Sequence, residues 1–113
     1  DICNTMNQPK RFYQNTEFIK ETFRLLKDDI VTLHLKDIRL KEDSLTVEFE
    51  EVLLGTGGID YVTLMEEIAK LPEGTPAMME HLETEEKYDM ARNAAFLFAE
   101  KAGMKKTGLI WHK

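Results

Sequence analysis

The sequence has a single cysteine, three prolines, one tryptophan and no long apolar run. One cysteine excludes an internal disulfide and a Cys-based metal site, so we expect Cys3 to be a small buried side chain. No segment approaches the roughly 18–20 consecutive apolar residues that a membrane-spanning helix needs. The first residues have neither the basic nor the apolar part of a signal peptide. We therefore expect a cytoplasmic protein with no membrane partner.

Basic residues are also scarce. The 113 residues include 15 Lys and Arg against 21 Asp and Glu, which gives a net charge of −6. Because affinity for nucleic acid comes mainly from clustered Lys and Arg, we expect no nucleic-acid partner. The hydrophobic share of 42% is that of a globular chain with one modest core. The first residue is Asp rather than Met, so we expect the chain to begin inside a longer protein.

Three segments have the apolar spacing of amphipathic helices. They are Asn15–Leu26 with Asn15 as its N-cap, residues 61–70 after a cap at Asp60, and residues 85–102 after Thr84, with Gly103 ending the last helix. Two further segments, residues 29–36 and 77–80, have the composition of strands. We expect 37–43 to be a loop and the weakly alternating run from Leu45 to Leu54 to be a lesser strand candidate. The pattern from residue 104 onward indicates no particular element.

The order of these elements is helix, strand, helix, strand, helix, with connections long enough for parallel pairing, so the predicted class is α/β. Two or three strands cannot close a barrel, and the order therefore fits a piece of a larger parallel sheet. The four residues 55–58 include three glycines and predict a turn. Without a following Lys-Ser or Lys-Thr they do not make a phosphate loop.

Two side chains that can bind metals fall at the predicted strand ends. His34 lies near the end of the first strand and Glu80 at the end of the second. In parallel α/β folds the loops beyond the C-terminal ends of the strands hold the active site. Taken alone, each residue has an ordinary structural interpretation. That interpretation is a hydrogen-bonded histidine for His34 and a solvated carboxylate for Glu80.

Three linked motifs strengthen the functional interpretation. They are His34-Leu35-Lys36-Asp37, the run LLGTGGIDY over residues 53–61, and MMEHL over residues 78–82. Together they resemble the C-terminal end of the xylose-isomerase-like barrel superfamily, the sugar phosphate isomerase/epimerase group. The start Asp1-Ile2-Cys3-Asn4 looks like the Asp-x-x-Asn/His strand end of that family. The resemblance runs from Asp1 to about Gly103.

The resemblance implies that residues 1–113 are a single partial domain, the C-terminal portion of a (β/α)8 TIM barrel from the end of its sixth strand to its eighth. It also implies one divalent metal ion with Asp1, His34 and Glu80 as ligands, and a further Glu ligand on a strand that the sequence lacks. Such a set suits Mn²⁺, Mg²⁺ or Co²⁺, with Zn²⁺ also open. Asn4, Lys36 and Arg39 are the expected substrate contacts, Arg39 only by proximity.

The function implied by the resemblance is that of an isomerase or epimerase acting on a sugar or sugar phosphate. Such a site moves a proton next to a carbonyl through an enediolate, and Glu80 is then both metal ligand and catalytic acid/base. We expect the isolated chain to be inactive and to form a homo-oligomer. The alternatives are an inosose-type dehydratase of the same fold and a non-catalytic α/β module that self-associates.

Overall fold

A computed structural model describes residues 1–6, 8–43, 45–46, 48–79, 82–107 and 110–112. Its helices and strands are interspersed along the chain, so the α/β prediction is confirmed. The helices are α1 Pro9–Tyr13, α2 Asn15–Leu26, α3 Tyr61–Ile68 and α4 Glu85–Lys101, with short 3-10 turns at Cys3–Thr5 and Lys27–Asp29. The strands are β1 Leu33–Leu35, β2 Asp37–Leu40, β3 Phe49–Val52, β4 Ala77–Met79, β5 Lys105–Thr107 and β6 Ile110–His112.

The two strands predicted to pair in parallel do so. β1 and β4 form a parallel pair in which His34 lies opposite Met78, and α3 lies in the connection between them. The strand predicted over 29–36 is shorter than expected, because Lys27–Asp29 form a 3-10 turn and regular pairing begins at Leu33. The described residues contain this pair and two antiparallel pairs. The larger barrel remains a prediction from the resemblance.

The prediction of a loop at residues 37–43 is wrong for its first half, because residues 37–40 form β2. β2 pairs with β3 in an antiparallel hairpin, and Arg39 lies opposite Glu50 with 2.6 Å between Nε and Oε1. Opposite charges that face each other across two strands stabilise the pairing of those strands. A pattern of alternating apolar residues does not indicate strands that are paired in this way. The regular part of the second strand begins at Phe49, and Leu45 is fully exposed.

Two of the three predicted N-cap residues cap their helices in the structure. The Asp60 carboxylate accepts the Thr63 N–H at 3.1 Å, and the Thr84 hydroxyl accepts the Lys87 N–H at 3.1 Å. α4 ends where Gly103 takes a φ of +84°, a conformation that glycine adopts without strain. The predicted Asn15 cap is wrong, because Gln14 occupies the cap position and the Asn15 side chain bonds elsewhere.

The core lies between the helices and the β1–β4 pair. α2 contributes Ile19 and Phe23, α3 contributes Leu64, and α4 contributes three small residues that allow close packing, Ala91, Ala95 and Ala99. Cys3 is buried, as predicted. Val31 lies in the part of the predicted strand 29–36 that precedes β1, and it is 80% exposed. Among the described residues no helix has the length and apolar character needed to cross a membrane.

Candidate functional site

The candidate site lies at the C-terminal edge of the β1–β4 pair. Parallel strands end at the same edge, so Leu35 and Met79, the last residues of β1 and β4, lie side by side. Lys36 and Asp37 follow β1. Glu80 follows β4 in the sequence, but its placement, like the side chain of Asn4, lies outside what the structure describes.

A buried lysine lies between two carboxylates at this edge. The Lys36 ammonium is 2.9 Å from Asp1 Oδ2 and 3.2 Å from Glu51 Oε1, and only 5% of its side chain is exposed. Asp1 Oδ1 also accepts the N–H of Cys3 at 3.0 Å. These contacts fix the orientation of the Asp1 carboxylate. Glu51 lies on β3, and no sequence pattern indicated that the hairpin brings it to Lys36.

Two neutral side chains hold the backbone of Lys36. Its carbonyl oxygen accepts a hydrogen bond from the Tyr61 hydroxyl and another from the Cys3 thiol, with Sγ 3.1 Å away. Burial raises the pKa of Cys3 to about 12, with the Asp37 charge adding to the effect. Burial also raises the pKa of Tyr61 well above its ordinary value. Both groups therefore stay protonated near neutral pH and act as donors.

Cys3 is expected to resist thiol reagents in the folded protein. With a pKa of about 12, roughly one thiol in ten thousand is ionised at pH 8, and the thiolate is the reactive form. A disulfide-exchange reagent such as DTNB should label the native protein at least a hundredfold more slowly than the same protein in urea. Labelling at equal rates in both conditions would contradict the burial of Cys3.

The Asp37 carboxylate lies at the centre of a ring of backbone N–H groups. Oδ2 accepts from Gly55 and Gly57, both at 2.9 Å, and Oδ1 accepts from Ile38 at 3.0 Å and Ile59 at 3.2 Å. Burial raises the pKa of Asp37, and the four N–H donors oppose that shift. The residue is 1% exposed. Residues 55–58 form a turn, as predicted, and its donors face this carboxylate.

Two glycines of this turn, Gly57 and Gly58, leave no room for a side chain. A Cβ on Gly57 would lie 2.3 Å from Asp37 Oδ1 and 2.4 Å from the Ile38 carbonyl oxygen. A Cβ on Gly58 would lie 2.3 Å from the ring of Phe12. The glycines in the sequence predicted the turn, but their spacing alone did not indicate that the turn closes around Asp37.

Asn15 forms hydrogen bonds to the same turn from the start of α2. Its Nδ2 donates to the Gly58 carbonyl at 2.8 Å, and its Oδ1 accepts the Asp60 N–H at 2.6 Å. The neighbouring Thr16 hydroxyl donates to the Asp60 carboxylate. The start of α2 is thereby attached to the start of α3, and the turn between β3 and α3 has a fixed position.

Asp1 and His34, two of the three predicted metal ligands, line one cavity of about 150 Å³ beside α2. A second cavity of about 140 Å³ is lined by Lys36, Asp37 and Glu51 together with residues that precede and begin α4. Arg39 lies away from both. It projects from β2 with 59% of its side chain exposed and pairs with Glu50.

Within the described part of the chain, no three His, Cys, Asp or Glu side chains are grouped so that they could hold a metal ion. Glu80, the third predicted ligand, lies outside that part, so the metal site stays a prediction. No protein-family model, curated protein or solved structure matches the chain. The geometry of this edge and the resemblance of its motifs are the basis for a function.

Proposed function

We propose that the chain is part of a metal-dependent isomerase or epimerase that acts on a sugar. The observation that carries this proposal is the parallel register of β1 and β4. It brings the C-terminal ends of the two strands, Leu35 and Met79, to one edge, and the corresponding edge is where α/β enzymes of this type bind their substrates. The shared cavity of Asp1 and His34 adds support.

The chemistry of the donor set fits a divalent cation. Two carboxylates, Asp1 and Glu80, and one imidazole, His34, are ligands that Mn²⁺, Mg²⁺ and Co²⁺ accept, and Zn²⁺ accepts them too. In this proposal these three residues hold the ion. When bound, such an ion polarises the substrate carbonyl and favours negative charge on its oxygen.

Glu80 is the proposed acid/base. Its carboxylate removes the proton from the carbon next to the carbonyl, and the electron pair of that C–H bond moves to form the enediolate. Return of the proton to the neighbouring carbon, with the hydroxyl proton moving from one oxygen to the other, gives an isomer, and protonation of the same carbon from its opposite face gives an epimer. Epimerisation therefore needs a second acid on that opposite face, in this proposal the further Glu ligand that the resemblance implies on a strand that the sequence lacks.

Lys36 is better suited to hold Asp1 than to contact substrate. Its ammonium is enclosed by Asp1 and Glu51, and a substrate oxygen would have to replace one of them. We therefore propose Lys36 as a positioning residue. Asn4 is proposed as a substrate contact on the resemblance alone. Arg39 is not proposed as one, because it pairs with Glu50 on the exposed side of the hairpin.

The test is Mn²⁺ binding followed by electron paramagnetic resonance, in which bound and free ion give different signals. We expect His34→Ala to weaken Mn²⁺ binding at least about tenfold. Loss of a residue that only supports a metal ligand already weakens binding by about that factor, and His34 is proposed as a ligand itself. Thr32→Ala is the matched control, since Thr32 lies two residues earlier in the same chain segment and lines the same cavity. Equal affinities in all three proteins would refute the proposal.

A further inference from the structure

The solvent-facing side of α4 has two large apolar side chains. Met90 is 51% exposed and Leu97 is 59% exposed. The buried side of the same helix is formed by the small residues Ala91, Ala95 and Ala99, so the two large residues face away from the core. Single apolar residues on a surface are ordinary, but apolar residues that share one stripe of a helix are typical of a helix that packs against another element.

Met90 and Leu97 share such a stripe. They are seven residues apart, which is close to two helical turns, so they lie on the same side of α4. Glu86 lies about one turn before Met90, and Lys101 lies about one turn after Leu97. All four residues are exposed. We call them the α4 stripe, which extends over about 22 Å along the helix axis.

The order of charges makes the α4 stripe complementary to itself. From its N-terminal end the order is acid, apolar, apolar, base, and each charged residue is four positions from the nearer apolar residue. If a second copy of the helix runs in the opposite direction, Glu86 faces Lys101 of that copy and Met90 faces its Leu97, and both contacts occur twice. If the copies run in the same direction, like charges face each other at both ends and repel.

The neighbouring charges leave this arrangement intact. In the part of the chain that the structure describes, the ion pairs of α4 use residues outside the stripe. The Lys101 ammonium lies 5.7 Å from the centre of the Phe98 ring, a contact that does not use its N–H donors. The ion pairs are Lys87 with Glu83 at 3.1 Å and Arg92 with Asp89 at 2.7 Å.

We propose that the α4 stripe is the contact surface of a homodimer in which α4 packs antiparallel against α4 of a second copy. The two-fold axis crosses the helix between residues 93 and 94, the midpoint of the stripe. A contact between two single helices buries an area at the lower end of specific interfaces, so the dimer forms reversibly. The proposal is independent of the proposed function, because the α4 stripe contains none of the proposed metal ligands.

The first test measures the mass of the chain by sedimentation equilibrium over a series of concentrations. We expect the wild-type mass to rise towards that of two chains as the concentration increases. Leu97→Glu should raise the dissociation constant at least about tenfold, because the new carboxylate would be buried against Met90 of the second copy. Leu45→Glu is the matched control, since Leu45 is also exposed but lies in the connection from β2 to β3. Circular dichroism checks that both variants fold.

A second test addresses the antiparallel direction through the charges. Glu86→Lys and Lys101→Glu should each weaken dimerisation several-fold, because each variant places like charges together at both ends of the contact. When the two variants are mixed in equal amounts, every lysine of one faces a glutamate of the other. The mixture should therefore form a heterodimer about as stable as the wild-type dimer.

Three results would overturn the proposal. The first is a wild-type chain that stays monomeric at all concentrations. The second is a dimer that Leu97→Glu weakens no more than Leu45→Glu does, because the copies then meet through another surface. The third is a mixture of the two charge variants that associates no better than either variant alone, because the charges of the α4 stripe then do not face each other.

Discussion

Replacing Asp37 with alanine is expected to lower the free energy of unfolding by on the order of 4 kcal/mol or more, a large part of the total stability of a small domain. Four backbone N–H groups, those of Ile38, Gly55, Gly57 and Ile59, would lose their acceptor in a buried place. An unsatisfied buried donor costs about 1–3 kcal/mol, whereas small domains are stable by about 5–15 kcal/mol in total. Urea unfolding followed by circular dichroism measures the loss.

Two further variants separate the role of Asp37 from a general effect of removing a carboxylate. Asp37→Asn retains one acceptor oxygen and should fall between the wild type and Asp37→Ala. Asp43→Ala removes an exposed carboxylate from the hairpin connection and should change the free energy of unfolding by about 0.5 kcal/mol or less. If Asp37→Ala were as stable as Asp43→Ala, the ring of donors would have no energetic importance.

Gly57→Ala is expected to destabilise the protein by about 2–3 kcal/mol. The new methyl group would meet Asp37 Oδ1 at 2.3 Å and a backbone oxygen at 2.4 Å, and neither can move without breaking the ring of hydrogen bonds. Overpacking at rigid sites costs about 1–3 kcal/mol, and here weakened hydrogen bonds add to it. The same urea unfolding measurement applies.

Gly74→Ala is the control for a glycine with space around it. A Cβ at Gly74 would have nothing within 4 Å, but its φ of +83° costs an L residue about 1–2 kcal/mol. The φ of Gly57 is not in the left-handed region, so the loss of stability in Gly57→Ala measures only the contact of the new methyl group with its neighbours. Gly57→Ala should be the less stable of the two, and the reverse order would show that the turn can rearrange around a methyl group.

Local patterns predicted those parts of the fold that depend on local interactions. The bounds of α2, the caps at Asp60 and Thr84 and the reversal at Gly103 each depend on residues within four positions of one another. The parallel β1–β4 pair was predictable because a helix-length connection leaves few other arrangements.

Features that depend on distant contacts were not predictable in this way. The hairpin of β2 and β3 is held partly by charge pairs such as Arg39 with Glu50, which resemble the charges of a solvated loop. Asn15 has the side chain of a helix cap, yet its partners are Gly58 and Asp60, more than 40 residues away. For the site, the motifs identified Lys36 and Asp37, but only the folded chain showed that both are engaged by its own groups.

The turn between β3 and α3 has a consequence for protein engineering. Asp37 reaches it from one side, Asn15 from another, and the ring of Phe12 covers Gly58. One residue more or fewer would shift an N–H group out of reach of its acceptor, so its length is fixed. The connection from β2 to β3 differs, because Leu45 and its described neighbours are exposed. A peptide tag or an inserted domain therefore belongs in that connection.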